Sequence, residues 1–182
     1  DGVSLVHNGI IENYQQIREQ LRKEGVQLNS DTDSELVAHL IAKRVKETKD
    51  LFKAVLQVLP ELTGAYSILV VWEGQPDTMI AFKNGPPLIV GLGDKEVVVA
   101  SDVQAIISHT PNVIYLGDFE IARIDGAKVA IFSAEGKPLQ KEPVRVNWTA
   151  EQSEKAGFKH FMLKEIHEQP RAVAQTLEER IA

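Results

Sequence analysis

Apolar and polar positions along this chain change period twice, dividing it into a helical opening, a strand-rich middle and a polar-then-helical end. Val3-Ser4-Leu5-Val6 is a short β-type run that stops at His7-Asn8-Gly9. From Ile10 onward the apolar residues fall at Ile10, Ile11, Tyr14, Ile17 and Leu21, which is helical spacing. A helix over 10–24 is therefore predicted, closed by Gly25, with Arg22 and Lys23 complementing the dipole in its last turn. The polar cluster Asn29 to Glu35 then leads into Leu36, Val37, Leu40, Ile41 and Val45, again at helical spacing. Thr32 followed by Glu35 has the form of a capping box and marks the start of this second helix. A third helix, about Leu51 to Leu59, ends before Pro60.

From Ala65 the pattern becomes that of strands. Tyr66–Trp72 and Thr78–Lys83 flank the turn Gly74-Gln75-Pro76-Asp77 and predict a hairpin. Leu88–Leu92, Glu96–Ala100, Val113–Leu116, Phe119–Ile124 and Lys128–Phe132 read as further short strands, and Ser101 or Asp102 caps a helical turn through Ile106 and Ile107. Helices first and strands later point to an α+β fold rather than an alternating one. After Pro143 the composition shifts. Residues 148–160 are polar without a period and read as a linker, and Phe161, Met162, Ile166, Pro170, Ala172, Val173, Leu177 and Ile181 predict helix, break, helix. The expected division is a first domain over 1–147 and, over 148–182, a linker with the opening of a second.

Composition narrows the chemistry. With 182 residues, 20 basic and 26 acidic side chains and a formal charge of −6, the chain suits one sizeable core and offers no Lys/Arg block. Nucleic acid and anionic membrane are thus poor partners, and small polar substrates or other proteins fit better. No stretch has the length of a membrane span and no basic-then-apolar leader opens the chain, so a cytoplasmic location is expected. The absence of cysteine excludes disulfides, cysteinyl metal sites and a cysteine nucleophile within these residues. Five scattered histidines make neither a metal site nor a cofactor site expected. The first residue is Asp1 rather than Met, almost inside an apolar run, which leads us to expect a piece of a longer protein.

The strongest chemical signal is Asn8-Gly9. A side-chain amide beside an unencumbered backbone N–H is a donor pair that can stabilise an oxyanion. Asn-Gly is also a common hairpin turn, but the helical spacing after it disfavours that; a purely structural strand-to-helix turn stays open. Asp33 is likewise open to two readings, a carboxylate favoured by the helix dipole or one that binds an ammonium group. Ser101-Asp102 reads as a cap rather than a nucleophile pair, and Tyr66, Trp72 and Phe82 read as core or sheet-face residues.

Taken together, HNGIIENY (His7–Tyr14), SDTDSE (Ser30–Glu35), LTGAYSILV (Leu62–Val70) and VASDVQAI (Val99–Ile106) resemble the glutaminase domain of the glucosamine-6-phosphate synthases, a family of class II glutamine amidotransferases. KHFMLKEIHEQP (Lys159–Pro170) resembles the junction between their glutaminase and sugar-isomerase domains. The HNG step alone is shared with relatives such as the amidotransferase of purine synthesis. The resemblance implies an N-terminal-nucleophile hydrolase fold, here an incomplete αββα sandwich. It implies glutamine as nitrogen donor, fructose 6-phosphate as acceptor on the isomerase domain, and a homo-oligomeric full-length protein. It assigns Asn8 and Gly9 to the oxyanion hole and Asp33 to the glutamine α-amino group. Because the base in this family is the α-amino group of the nucleophilic cysteine, His7 falls to pocket lining. Without that cysteine the chain alone is expected to be inactive. The alternatives are a non-catalytic binding or regulatory module on the same scaffold and the related purine-pathway amidotransferase.

Overall fold

The computed structural model describes residues 2–146 and 158–181. It divides into two compact units, Asp1–Val146 and Asn147–Ala182. The first unit begins with strand β1 (Val3–Ile11) and three helices, α1 (Tyr14–Lys23), α2 (Asp33–Thr48) and α3 (Leu51–Val58). Strands β2 (Gly64–Trp72), β3 (Thr78–Asn84), β4 (Ile89–Leu92), β5 (Val97–Ala100), β6 (Asn112–Tyr115), β7 (Ile121–Asp125) and β8 (Lys128–Phe132) follow, with two short ones, β9 (Pro138–Leu139) and β10 (Val144–Arg145). They form two antiparallel sheets, one ordered β1-β2-β3-β7-β8-β9 and the other β10-β6-β4-β5.

Burial follows strand alternation. Tyr66, Ile68, Val70, Ile80 and Phe82 face the helices and join Ile17, Leu21, Leu36, Leu40, Ile41, Val45, Leu51 and Val55 in the main core. Ala81, Ala122, Ile124 and Ile131 face the opposite way and pack on Leu88, Val90, Ile114 and Leu116 between the sheets. The outer face of the smaller sheet is covered by Val103 of a short 3-10 turn and by Ile106 just after it, against Ile89 and Val113. Helices, sheet, sheet and a thin outer turn make the incomplete αββα sandwich expected of the sequence. At about 25 cal/mol per Å² of apolar surface, each fully buried Leu, Ile or Val contributes roughly 1.5–3 kcal/mol to this packing.

Local signals set several boundaries. α1 ends in a Schellman motif: Gly25 has φ +80°, its N–H donates to Arg22 O, and Val26 N–H donates to Leu21 O. Thr32 caps α2 by accepting from Glu35 N–H, and Asp50 caps α3 by accepting from Lys53 N–H. Glu35 completes only half a capping box. Its carboxylate reaches past Thr32 to the N–H groups of Asn29 and Ser30 at 2.6 and 2.7 Å.

Two expectations are corrected. The helix does not start at Ile10, because β1 continues through Asn8-Gly9-Ile10 to Ile11, pairing residue for residue with β2 down to Ile11 opposite Gly64. Adjacent isoleucines suit either period, and the partner strand decides. Pro170 does not break the last helix, since α4 (Phe161–Ile181) runs through it in the second unit. A proline removes one N–H donor and crowds the preceding turn, which can kink a helix without ending it. In that unit Phe158 stacks on His167 with ring centroids 5.2 Å apart. Residues 148–157 of the expected linker lie outside the described residues.

Candidate functional site around the Asn-Gly strand

Among the described residues β1 is an edge strand, paired only with β2. Hydrogen bonds just beyond its two ends, Glu73 N–H to Gly2 O and Glu12 N–H to Thr63 O, fix the parity of the ladder. Even-numbered residues of β1 bond to β2, so the N–H and C=O groups of odd-numbered residues, Gly9 among them, turn to the open edge. Ile11 illustrates this: its N–H donates to Asp33 Oδ2 at 2.9 Å.

Alternation separates the side chains. Asn8 shares a row with Ser67 and, across β2, with Lys83, on the face toward the second sheet. His7 lies opposite Ile68 on the face toward the helices. Asn8, Val6, Ser67, Leu88, Ala100 and Ser101 border a depression of about 160 Å³ that His7 also touches. Asp33 borders a different depression, of about 280 Å³, with Ile10, Tyr14, Asp31, Thr32 and Ser34. The structure therefore gathers Asn8, Gly9, His7 and Asp33 on or against one strand but sets Asn8 and His7 at one hollow and Asp33 at another, with Gly9 lining neither.

Glycine at position 9 is required by its neighbour. Its φ is +132°, and a Cβ there would lie 2.1 Å from Ala65 O and 2.7 Å from Tyr66 Cα. The side chain of Asn13, which precedes α1, does not cap it. Its amide donates to Glu61 O at 2.8 Å and accepts from Thr63 N–H at 3.0 Å, fixing the exit of β1 to the turn before β2.

Asp33, in the first turn of α2, has both carboxylate oxygens directed at β1. Oδ2 takes the Ile11 N–H, and Oδ1 lies 3.5 Å from His7 Nδ1. His7 Nδ1 is also 3.0 Å from Ser34 Oγ, and its side chain is only 2% exposed. Beside this cluster, hydrogen bonds from Asn29 N–H and from the hydroxyl and N–H of Ser30, with His39 nearby, hold the Glu35 carboxyl down at about 2. The segment leading into α2 is thus tied by a carboxylate that stays ionised well into acid.

Three polar residues near Asn8 and Asp33 escaped the sequence reading. Ser67 is buried and its hydroxyl has no partner among the described residues. Lys83 is buried and pairs with Asp118, whose carboxyl is held below the usual range first by that lysine and then by Gly85 N–H. Ser34 holds His7. A single polar residue inside an apolar strand pattern, as in Tyr66-Ser67-Ile68 or Phe82-Lys83, is the signal that could have marked the first two. Ser101 borders the Asn8 depression, whereas Asp102 accepts from Gln104 N–H at 2.7 Å in the capping role expected for it. Among the described residues no cluster could hold a metal ion and no helix is long and apolar enough to cross a membrane.

Comparison with known proteins bears on the family and the fold. A family model described as a glutamine amidotransferase domain matches residues 1–108. A glutamine--fructose-6-phosphate aminotransferase [isomerizing] from Aquifex aeolicus is 48% identical over 96% of this chain and 29% of its own length. The protein of the same name from Methanosarcina acetivorans is 42% identical over 99% of this chain and 30% of its own. The chain thus spans about 30% of the curated relatives it matches. Among solved structures, the glutamine phosphoribosylpyrophosphate amidotransferase from B. subtilis complexed with ADP and GMP superposes with a TM-score of 0.61 at 25% identity, covering 72% of this chain and 29% of that one. A glutamine aminotransferase class-II domain protein from Silicibacter pomeroyi shares the fold at 16% identity and a TM-score of 0.54, over 76% of this chain and 69% of its own. The αββα sandwich is of the N-terminal-nucleophile hydrolase type, and with the family model covering more than half of its length the chain belongs to the glutamine amidotransferase domain family.

Proposed function

We propose that this chain is the glutaminase part of an enzyme that moves the amide nitrogen of glutamine to fructose 6-phosphate, giving glucosamine 6-phosphate and glutamate. The observation that carries the reading is that Asp33, at the start of α2, is tied to the strand that carries Asn8-Gly9: it accepts from Ile11 N–H, two residues beyond Gly9, so that amide donors for one end of a glutamine and a carboxylate for the other are referred to one strand. Further support comes from relatives so named that align with nearly the whole chain.

The sequence holds no cysteine, so in this reading the nucleophile comes from outside these 182 residues. Its sulfur adds to the side-chain carbonyl carbon of glutamine, and the carbonyl electron pair moves onto oxygen. Asn8 Nδ2–H and Gly9 N–H donate to that oxyanion, an effect worth roughly 3 kcal/mol per donor in a preorganised site. Collapse expels ammonia, which carries off the thiol proton relayed by the α-amino group of the nucleophile. Water then cleaves the thioester to glutamate and restores the thiol. Asp33 binds the α-ammonium and distinguishes an amino acid from a simple amide. Ammonia passes to fructose 6-phosphate on an isomerase domain, and a homo-oligomeric protein is the expected setting.

Asn8→Ala in the natural-length protein tests the reading. Glutaminase turnover falls by about 100-fold or more while KM for glutamine changes less; unchanged turnover removes Asn8 from the oxyanion hole. The 182-residue chain alone releases no ammonia from glutamine above a blank, and measurable release would overturn the missing-nucleophile part of the proposal.

A further inference from the structure

We infer that His7 is a positioning residue for the substrate-binding carboxylate of Asp33: its Nδ1, braced by Ser34, holds that carboxylate at a fixed offset from Asn8 and Gly9. The inference rests on the proposed role of Asp33 and goes beyond it by naming what sets that carboxylate's place.

Asp33 belongs to α2, whereas Asn8 and Gly9 belong to β1. A ligand that spans an ammonium site on one element and an oxyanion site on another is read correctly only if the two elements keep their spacing. Two links supply it. The Ile11 N–H, left at the open edge by ladder parity, donates to Oδ2 at 2.9 Å. The His7 ring, reaching from the helix-facing side of the same strand, brings Nδ1 to 3.0 Å from its hydrogen-bond partner Ser34 Oγ and to 3.5 Å from Oδ1, a longer contact that is attractive when Nδ1 carries the ring hydrogen. Both oxygens of one carboxylate are thereby referred to the strand that carries the amide donors.

The ring is suited to this and to little else. Its side chain is 2% exposed, and Nε2 is buried without a partner among the described residues. Burying a polar nitrogen without a hydrogen bond is unfavourable, so the ring is retained for what Nδ1 does. Although His7 borders the Asn8 hollow, its ring is enclosed on the helix-facing side of β1 and is badly placed to exchange protons with a substrate amide there. A leucine of similar bulk would fill the space without the unpartnered nitrogen, and only the Nδ1 contacts argue for histidine.

The test uses the natural-length protein, with KM for glutamine and kcat measured separately. His7→Leu raises KM about tenfold and leaves kcat within about threefold, the signature of weakened substrate binding rather than lost chemistry. His7→Asn, whose side-chain amide can occupy the place of Nδ1, recovers most of the affinity; His7→Gln, which mimics Nε2 instead, does not. A histidine serving packing alone would show a lowered melting temperature with KM unchanged, and that result overturns the inference, as does equal KM in His7→Asn and His7→Leu. Where His7→Leu fails to fold, Ser34→Ala decides: a raised KM supports the brace and an unchanged KM refutes it. Asp33→Asn separates the two levels of argument. If it leaves KM unaltered, the α-amino contact itself is wrong; if it raises KM while His7→Leu does not, only the positioning role falls.

Discussion

Replacing Gly9 with alanine asks whether this residue is held by its neighbouring strand. The added Cβ would sit 2.1 Å from Ala65 O and 2.7 Å from Tyr66 Cα, both backbone atoms that cannot rotate away. The backbone at φ +132° also lies where L side chains are disfavoured. The conformational part costs about 1–3 kcal/mol, and the steric part, which forces β1 and β2 apart, adds about 1–3 kcal/mol. Gly25 separates the two terms. It too has positive φ, +80°, but nothing lies within 4 Å of its added Cβ, so Gly25→Ala carries only a left-handed penalty of about 1–2 kcal/mol. Denaturant unfolding followed by circular dichroism should show Gly9→Ala less stable than Gly25→Ala by about 1–3 kcal/mol with similar m-values. Equal losses would refute the argument that the Ala65 carbonyl excludes a side chain at position 9. Where Gly9→Ala still folds, the strand shift displaces the Gly9 N–H and Asn8 together, and under the proposed oxyanion-hole role glutaminase turnover of the natural-length protein should fall with it.

Three further outcomes are expected. Because the folded-state Glu35 carboxyl is lowered from its ordinary 4.5 to about 2, its stabilising bonds to Asn29 and Ser30 are complete above about pH 4.5 and lost as pH falls toward 2; NMR titration of those two amides should show this, and a midpoint between pH 4 and 5 would contradict the bonds. Tyr66 is fully buried with a hydroxyl that has no partner among the described residues, and burial raises its pKa; Tyr66→Phe should therefore be neutral or stabilising, and a loss above about 1 kcal/mol would reveal a partner for the hydroxyl. Asp50→Ala removes the α3 cap to Lys53 N–H and should lower stability by about 1 kcal/mol in chemical denaturation, with no loss at all arguing against the cap.

Much of the candidate site was legible in the chain, but its arrangement was not. Asn8-Gly9 and Asp33 announce their chemistry as residue types, and Ile10-Ile11 misled because two adjacent apolar residues satisfy both periods. The amide of Asn13 serves Glu61 and Thr63, partners far along the chain that nothing near Asn13 announces. Ser34 gave no sign of bracing His7, since a serine in a first helical turn is ordinary. β9 and β10, two residues each, are too short to carry any period.

The sequence by itself determined the features whose causes lie within a turn or so of the chain. These are the Gly25 ending of α1, the Thr32 cap, the β2-β3 hairpin, and the presence of the candidate amide donors Asn8-Gly9 and the candidate carboxylate Asp33. Only the tertiary structure decided that β1 runs on through Gly9, that His7 and Asn8 point to opposite faces, and that Asp33 is tied to Ile11. Caps and turns are settled by neighbours a few residues away. Strand length, strand face and the reach of a carboxylate are settled by partners brought in from elsewhere in the chain, chiefly β2 and α2, which residue spacing along β1 does not encode.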